Sequence, residues 1–156
     1  MKLTLRILTL FCVLPLVVHA QPLTNELGGG LTPDETMVYK KVPGKVTDLK
    51  LHFFYPQGYK KSKSYPAIVF FFGGGWNGGA AGHFYIHAKY LASRGMVAIC
   101  SDYRTKTSHG ALPFQCVEDG KSAMRYVREN ARKLGIDPNR IAAGGGSAGG
   151  HVAAAT

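Results

Sequence analysis

Two short apolar runs, each ending in a cluster of glycines, constrain the fold more than any other feature of this chain. Ala67-Ile-Val-Phe-Phe-Phe72 is continuously apolar and passes directly into Gly73-Gly-Gly-Trp-Asn-Gly-Gly79. Ile141-Ala-Ala143 passes into Gly144-Gly-Gly-Ser-Ala-Gly-Gly150. A run without polar alternation suits a strand covered on both faces, the usual condition in a parallel sheet. Between the two lies a helical stretch over residues 81–93, with Phe84, His87, Ala88 and Leu91 on one stripe and Gly95 as its stop. A buried-type strand follows at 96–100, then a long amphipathic helix over 113–134, closed by Gly135. Asp137-Pro-Asn139 reads as a turn. Strands alternating with helices imply an α/β fold with a mostly parallel sheet and right-handed crossovers. In such sheets ligands bind beyond the carboxyl ends of the strands. Both glycine clusters fall at that edge.

Upstream of this core the texture differs. Residues 1–20 carry Lys2 and Arg6 ahead of an apolar run interrupted by Pro15, ending in Val18-His-Ala20. That is the anatomy of a signal peptide cleaved before Gln21, and the run is too short for a stable membrane span. The expected location is secreted or periplasmic. Residues 21–35 read as a flexible leader and 36–156 as the domain. Residues 36–42 and 47–55 are β-prone and flank Pro43-Gly44, which suggests an antiparallel pair at a sheet edge. Leu49, Leu51 and Phe53 alternate there with Lys50 and His52, as in a half-buried strand.

Charge and cysteine content narrow the functional classes. The chain has 19 Lys and Arg against 9 Asp and Glu, yet its lysines are dispersed and lack interleaved aromatics. A solvated charged face explains them, and a nucleic-acid partner is not expected. Cys100 and Cys116 could pair in an oxidising compartment, but Cys100 ends an apolar run and buried free thiols are common. There is no CxxC and no His/Cys ligand spacing, so neither a metal nor a cofactor is expected. No Gly-Lys-Ser/Thr follows the glycines, which excludes a P-loop.

The second cluster fits G-x-S-x-G as Gly145, Gly146, Ser147, Ala148 and Gly149. A serine lifted out on a strand-to-helix turn needs small neighbours, because the backbone bends sharply there. With Phe72-Gly-Gly-Gly-Trp76, Asp102-Tyr-Arg104 and Gly135-Ile-Asp-Pro-Asn-Arg140, this cluster resembles the α/β-hydrolase superfamily, in its esterase/lipase branch with an HGGG-type loop. The resemblance spans residues 47–156 and is strongest toward exported carbohydrate-esterase-like members, whose typical substrates are acetyl and feruloyl esters on plant polysaccharides. It implies a small-molecule or polysaccharide ester as substrate and Ser147 as nucleophile. The amides of Gly73, Gly74 and Ala148 would form the oxyanion hole, with Gly145 and Gly149 shaping the elbow. Trp76 either lines an acyl pocket or packs the loop. The motif's first position is Phe72 where the family pattern has His, so Phe72 is expected to anchor the loop by packing.

In this fold the acid and histidine of the triad follow the serine along the chain. Nine residues follow Ser147, so the domain reads as truncated after the nucleophile elbow, with both partners outside it. His151 lies one helical turn beyond Ser147 but lacks an evident orienting partner, and is read as structural. His83, His87 and His109 are read as surface or packing residues. Asp102 and Asp119 are expected to satisfy arginine or backbone partners. Two alternatives stand beside the esterase: a non-catalytic secreted protein that binds a glycan or partner, and a peptidase or formamidase of the same superfamily.

Overall fold

The computed structural model describes residues 28–44 and 47–156, so the signal segment proposed at 1–20 lies outside the described residues. Five strands form one sheet: β1 (Glu35–Lys40), β2 (Leu49–Phe54), β3 (Tyr65–Phe71), β4 (Val97–Ser101) and β5 (Ile136–Gly145). Their spatial order is β1-β2-β4-β3-β5. The β1–β2 and β2–β4 pairs are antiparallel, whereas β3 pairs in parallel with both β4 and β5. The sheet is therefore mixed, with its parallel part at the end that carries the glycine clusters. The antiparallel pair read from sequence is present, but only β1 is an edge; β2 lies inside the sheet.

Helices cover both faces. The uninterrupted hydrophobicity of β3 and β4 follows from this, because alternate residues bury on opposite sides. Val97 and Ile99 join Leu51, Phe53, Val69 and Phe71 against helix α3 (Pro113–Glu129) and Val152 of α4 (Ala148–Ala154). Ala98 and Cys100 join Phe54 and Phe70 against Ala88 and Ala92 of α1 (Tyr85–Ser93). A short 3-10 turn at Ala81–Phe84 precedes α1, so the predicted helix over 81–93 is divided in two.

Cys100 lies in the core on the α1 side and Cys116 in the core on the α3 side. With the sheet between them the two cannot pair, and both are buried free thiols. Burial pushes both thiols up from their ordinary pKa.

Three boundaries differ from the sequence reading. Helix α3 stops at Glu129 rather than continuing to Leu134, because the Asn130 side-chain amide turns back to donate to the Tyr126 carbonyl at 2.9 Å. Turns continue as far as Gly135 and keep Ala131 and Leu134 buried. Asp137-Pro-Asn139 is part of β5 rather than a separate turn. Pro138 lacks an N–H and the Asp137 carboxylate accepts from Asn139 N at 3.0 Å, so the register against β3 shifts between Tyr65 and Ala67. Residues 28–34, read as the end of the leader, adopt defined positions. Gly28 is buried near Tyr85, and the Asp34 carboxylate accepts from Tyr55 N at 2.7 Å.

One ion cluster ties β1, the segment after β4 and α3 together. Asp119 is fully buried. Its Oδ1 accepts from Lys40 Nζ at 2.6 Å and Arg104 Nη2 at 2.9 Å. Its Oδ2 accepts from Arg104 Nε at 2.7 Å and Arg104 N at 3.0 Å. Four donors fill the four lone-pair sites of the carboxylate. These bonds also raise the already high pKa of the Arg104 guanidinium. Removing one member of such a cluster strands the other buried charge, at a cost of about 3–5 kcal/mol. Asp119→Ala is therefore expected to lower unfolding free energy by about that amount, measured by urea denaturation, while an exposed control such as Glu129→Ala stays within about 0.5 kcal/mol.

Candidate active site

The site is built where the end of β3 meets the turn between β5 and α4. Gly149 lies so close to β3 that a Cβ added to it would collide with the carbonyl oxygens of both Phe71 and Phe72. A Cβ on Gly145 would strike the Gly149 carbonyl and lie 2.7 Å from Phe71 O. These are backbone obstacles that no rotamer change removes, so only glycine fits at either position. Gly146 rests against the Phe84 ring, with its virtual Cβ 3.5 Å away.

This crowding sets the conformation of Ser147. Its φ of 51° and ψ of −122° are outside the regions an L-residue adopts freely. Such a state costs about 1–3 kcal/mol and persists only where the surroundings impose it. Here Gly149 N donates to Gly146 O at 2.9 Å and His151 N to Ser147 O at 3.2 Å, fixing both sides of the turn. The serine is exposed, and its hydroxyl forms no hydrogen bond with a described residue.

The first glycine cluster comes to the same place. A Cβ on Gly73 would lie 2.9 Å from Gly146 O and 3.4 Å from Ser147 Cβ. Two segments some seventy positions apart in sequence thus come into close contact beside Ser147. The amides of Gly73, Gly74 and Ala148 find no acceptor among the described residues. Phe72, 2% exposed, stacks on Tyr103 with ring centroids 4.1 Å apart and 13° between planes. Tyr103 Oη donates to Phe72 O at 2.5 Å. The expected packing anchor at this position is present, with Tyr103 as its partner.

Trp76 is half-buried in a left-handed backbone state, φ 60°. Its ring meets His151 edge-on, centroids 5.6 Å apart and planes at 87°. The indole Nε1 is buried without an acceptor among the described residues. His151 is exposed and neither ring nitrogen bonds a described residue, so it has no carboxylate to orient it. His83 and His87 pack against Phe72, Phe70 and Phe84 on the other side. His109 accepts or donates at Ser108 Oγ (2.7 Å) and Thr47 Oγ1 (3.2 Å).

One pairing escaped the sequence reading. His52, there only a polar residue on an alternating strand, has Nε2 3.2 Å from Asp102 Oδ2 and Nδ1 2.7 Å from Tyr85 Oη. Burial pushes the Tyr85 phenol up to about 12. No local signal joins residues 52, 85 and 102: the β2–β4 register, with Leu51 opposite Ser101, brings 52 near 102, and the packing of α1 on the sheet brings in Tyr85. Among the described residues no group of three metal-ligating side chains converges, and no helix is long and apolar enough to cross a membrane.

A mixed sheet of this order, with a serine on a glycine-bound turn between a parallel strand and a helix, is an α/β-hydrolase fold. Residues 51–156 match the family model BD-FAE, and the chain belongs to this family of α/β-hydrolase esterases. Carboxylesterase NlhH of Mycobacterium tuberculosis is 33% identical over 111 residues, which is 70% of this chain and 33% of that protein. An AB hydrolase superfamily protein of Schizosaccharomyces pombe is 38% identical over 103 residues, 65% of this chain and 29% of that one. The propionate-bound structure of the esterase Est2 from Thermogutta terrifontis superposes with a TM-score of 0.76 at 50% identity, covering 78% of this chain and 44% of that one. This chain thus spans about a third of the length of these curated relatives and under half of the solved esterase.

The backbone collision at Gly149 generates a sharp expectation. Gly149→Ala must displace the end of β3 or the elbow, an overpacking cost of about 1–3 kcal/mol. The thermal midpoint is expected to fall measurably in a melt followed by circular dichroism. Gly150→Ala, whose Cβ would lie 3.4 Å from Gly145 O, is expected to change it less.

Proposed function

We propose that this chain carries the nucleophile and oxyanion hole of a carboxylic-ester hydrolase acting through an acyl-enzyme on Ser147. The observation that carries this reading is the approach of Gly73 to the serine turn, so close that a Cβ added to it would lie 3.4 Å from Ser147 Cβ. Family membership and esterase relatives support it. Ser147 Oγ attacks the ester carbonyl as a base takes its proton, and the carbonyl oxygen becomes an oxyanion. The amides of Gly73, Gly74 and Ala148 donate to that oxyanion; one such donor typically contributes about 3–4 kcal/mol to transition-state stabilisation. Collapse expels the alcohol, and water then releases the acid by the reverse sequence.

The proton acceptor in this proposal is a histidine held by a carboxylate, placed after the serine in the order usual for this fold. His151, His83, His87 and His109 are not assigned that role, because none of them pairs with a carboxylate among the described residues. Short acyl groups are the proposed substrate class, since solved neighbours of this chain hold propionate and butyrate. Acyl esters on polysaccharides are the finer possibility the sequence resemblance supports. Trp76 is the residue proposed to border the acyl group. Export after cleavage near Ala20-Gln21 completes the proposal.

The test is hydrolysis of p-nitrophenyl propionate and butyrate by the protein expressed from its whole gene, beside labelling with a fluorophosphonate. Ser147→Ala is expected to lower kcat by about 10⁴-fold or more and to abolish labelling. Retained labelling in that variant would assign the nucleophile elsewhere, and no turnover or labelling in the parent protein would favour a non-catalytic binding role.

A further inference from the structure

The bulky residue in a strained state beside the proposed oxyanion hole raises the question of what holds it there. Trp76 at φ 60° is a conformation that persists only where its surroundings over-determine it. The ring packs partly against the core, but side-chain packing alone does not fix the backbone of the loop. Two backbone hydrogen bonds connect the loop to the neighbouring segment instead. Lys106 N donates to Trp76 O at 2.9 Å, and Thr107 N donates to Asn77 O at 2.8 Å. Both donors are the first amides of the four-residue helix α2 (Lys106–His109).

A helix of one turn does not persist by itself. Its frame is Thr105, 3% exposed and extended at φ −126°, ψ 167°. Thr105 Oγ1 accepts from Ser108 N at 3.4 Å and shares a 2.6 Å bond with Ser108 Oγ. Its carbonyl accepts from His109 N at 2.9 Å and Ala111 N at 3.2 Å. The turn closes at Gly110 in the left-handed region. We infer that Thr105 is a positioning residue for ester hydrolysis: its hydroxyl sets the turn whose amides hold Trp76 and Asn77, and thereby the Gly73 and Gly74 donors. The inference rests on the function proposed above.

Thr105→Val removes the hydroxyl and keeps the shape, whereas Thr105→Ser keeps the hydroxyl. In the protein expressed from its whole gene, Val is expected to lower kcat between about tenfold and a hundredfold, the scale of a small misplacement of catalytic groups. KM is expected to stay within about twofold, as for a contact that matters only in the transition state. Ser is expected to restore most of kcat. Hydrogen exchange is expected to quicken over residues 73–79 and 105–110 in the Val variant and not in the Ser variant. Parent-like kcat in Thr105→Val, or an equal loss in both variants, overturns the inference. If Val does not fold, Ser108→Ala at an exposed position decides: lowered kcat with KM held supports it, and unchanged kcat overturns it. Should Ser147→Ala keep full activity, the functional proposal fails by itself, and unaltered exchange over 73–79 in Thr105→Val then rejects the positioning role separately.

Discussion

The structure depends on the contact between the end of β3 and the turn after β5, where one backbone lies directly against another. Phe71 O and Phe72 O face Gly149, and Gly145 sits between them and the turn, with no room for a Cβ at either glycine. β3 is paired on both sides, so it is the fixed member of this contact and the turn must conform to it. The displaced conformation of Ser147 is a consequence, since the chain has no other route from a strand pinned to β3 into helix α4. The same contact delivers Gly73, two residues beyond the end of β3, to the serine. A steric exclusion thus produces both halves of the site.

Beyond Gly73 the loop leaves β3 and needs other support. Phe72 stands where the family pattern has a histidine, and a ring without polar atoms cannot donate or accept. Its stacking on Tyr103 offers about 0.5–1.5 kcal/mol beyond the burial of the rings. A typical intramolecular hydrogen bond contributes about the same net amount. Tyr103 adds a hydroxyl bond to the Phe72 carbonyl, so the polar anchor is relocated from the side chain at 72 to the backbone at 72.

What the sequence made legible follows from the range of the interactions involved. The strands read at 67–72 and 96–100, the helix from 113 and the serine corner rest on local apolar patterns and on glycine, and each is found within one or two residues of its expected place. The amphipathic period of 113–134 continued through Leu134 because Ala131 and Leu134 are indeed buried; periodicity records which residues face the core and not whether the backbone stays helical. Pro138 suggested a turn because a proline seldom enters a sheet, yet β5 accommodates it by shifting register. The disulfide question needed the third dimension, since only the sheet places Cys100 and Cys116 on opposite faces. The His52–Asp102–Tyr85 chain and the bonds from α2 to Trp76 and Asn77 were invisible, being made across strand pairings or by backbone amides that carry no residue signature.

The carboxylates of the Asp102-to-Asp119 region show how geometry separates scaffold from chemistry. A triad acid must leave an oxygen free for a histidine. Asp119 has none free, as two cations and one amide occupy all its acceptor sites. Its role is mechanical: Arg104 is clamped to α3 by side chain and backbone together, and Arg104 immediately precedes Thr105. Support therefore runs from the α3 core through Asp119 and Arg104 to Thr105, then through the first amides of α2 to Trp76 and Asn77. Cys116 Sγ, 3.1 Å from Arg104 O, holds the same segment from the next turn of α3. The Asp-Tyr-Arg motif is thus the mount of a loop that passes beside the serine. Its three side chains serve three attachments: Asp102 to β2 and His52, Tyr103 to Phe72, and Arg104 to α3.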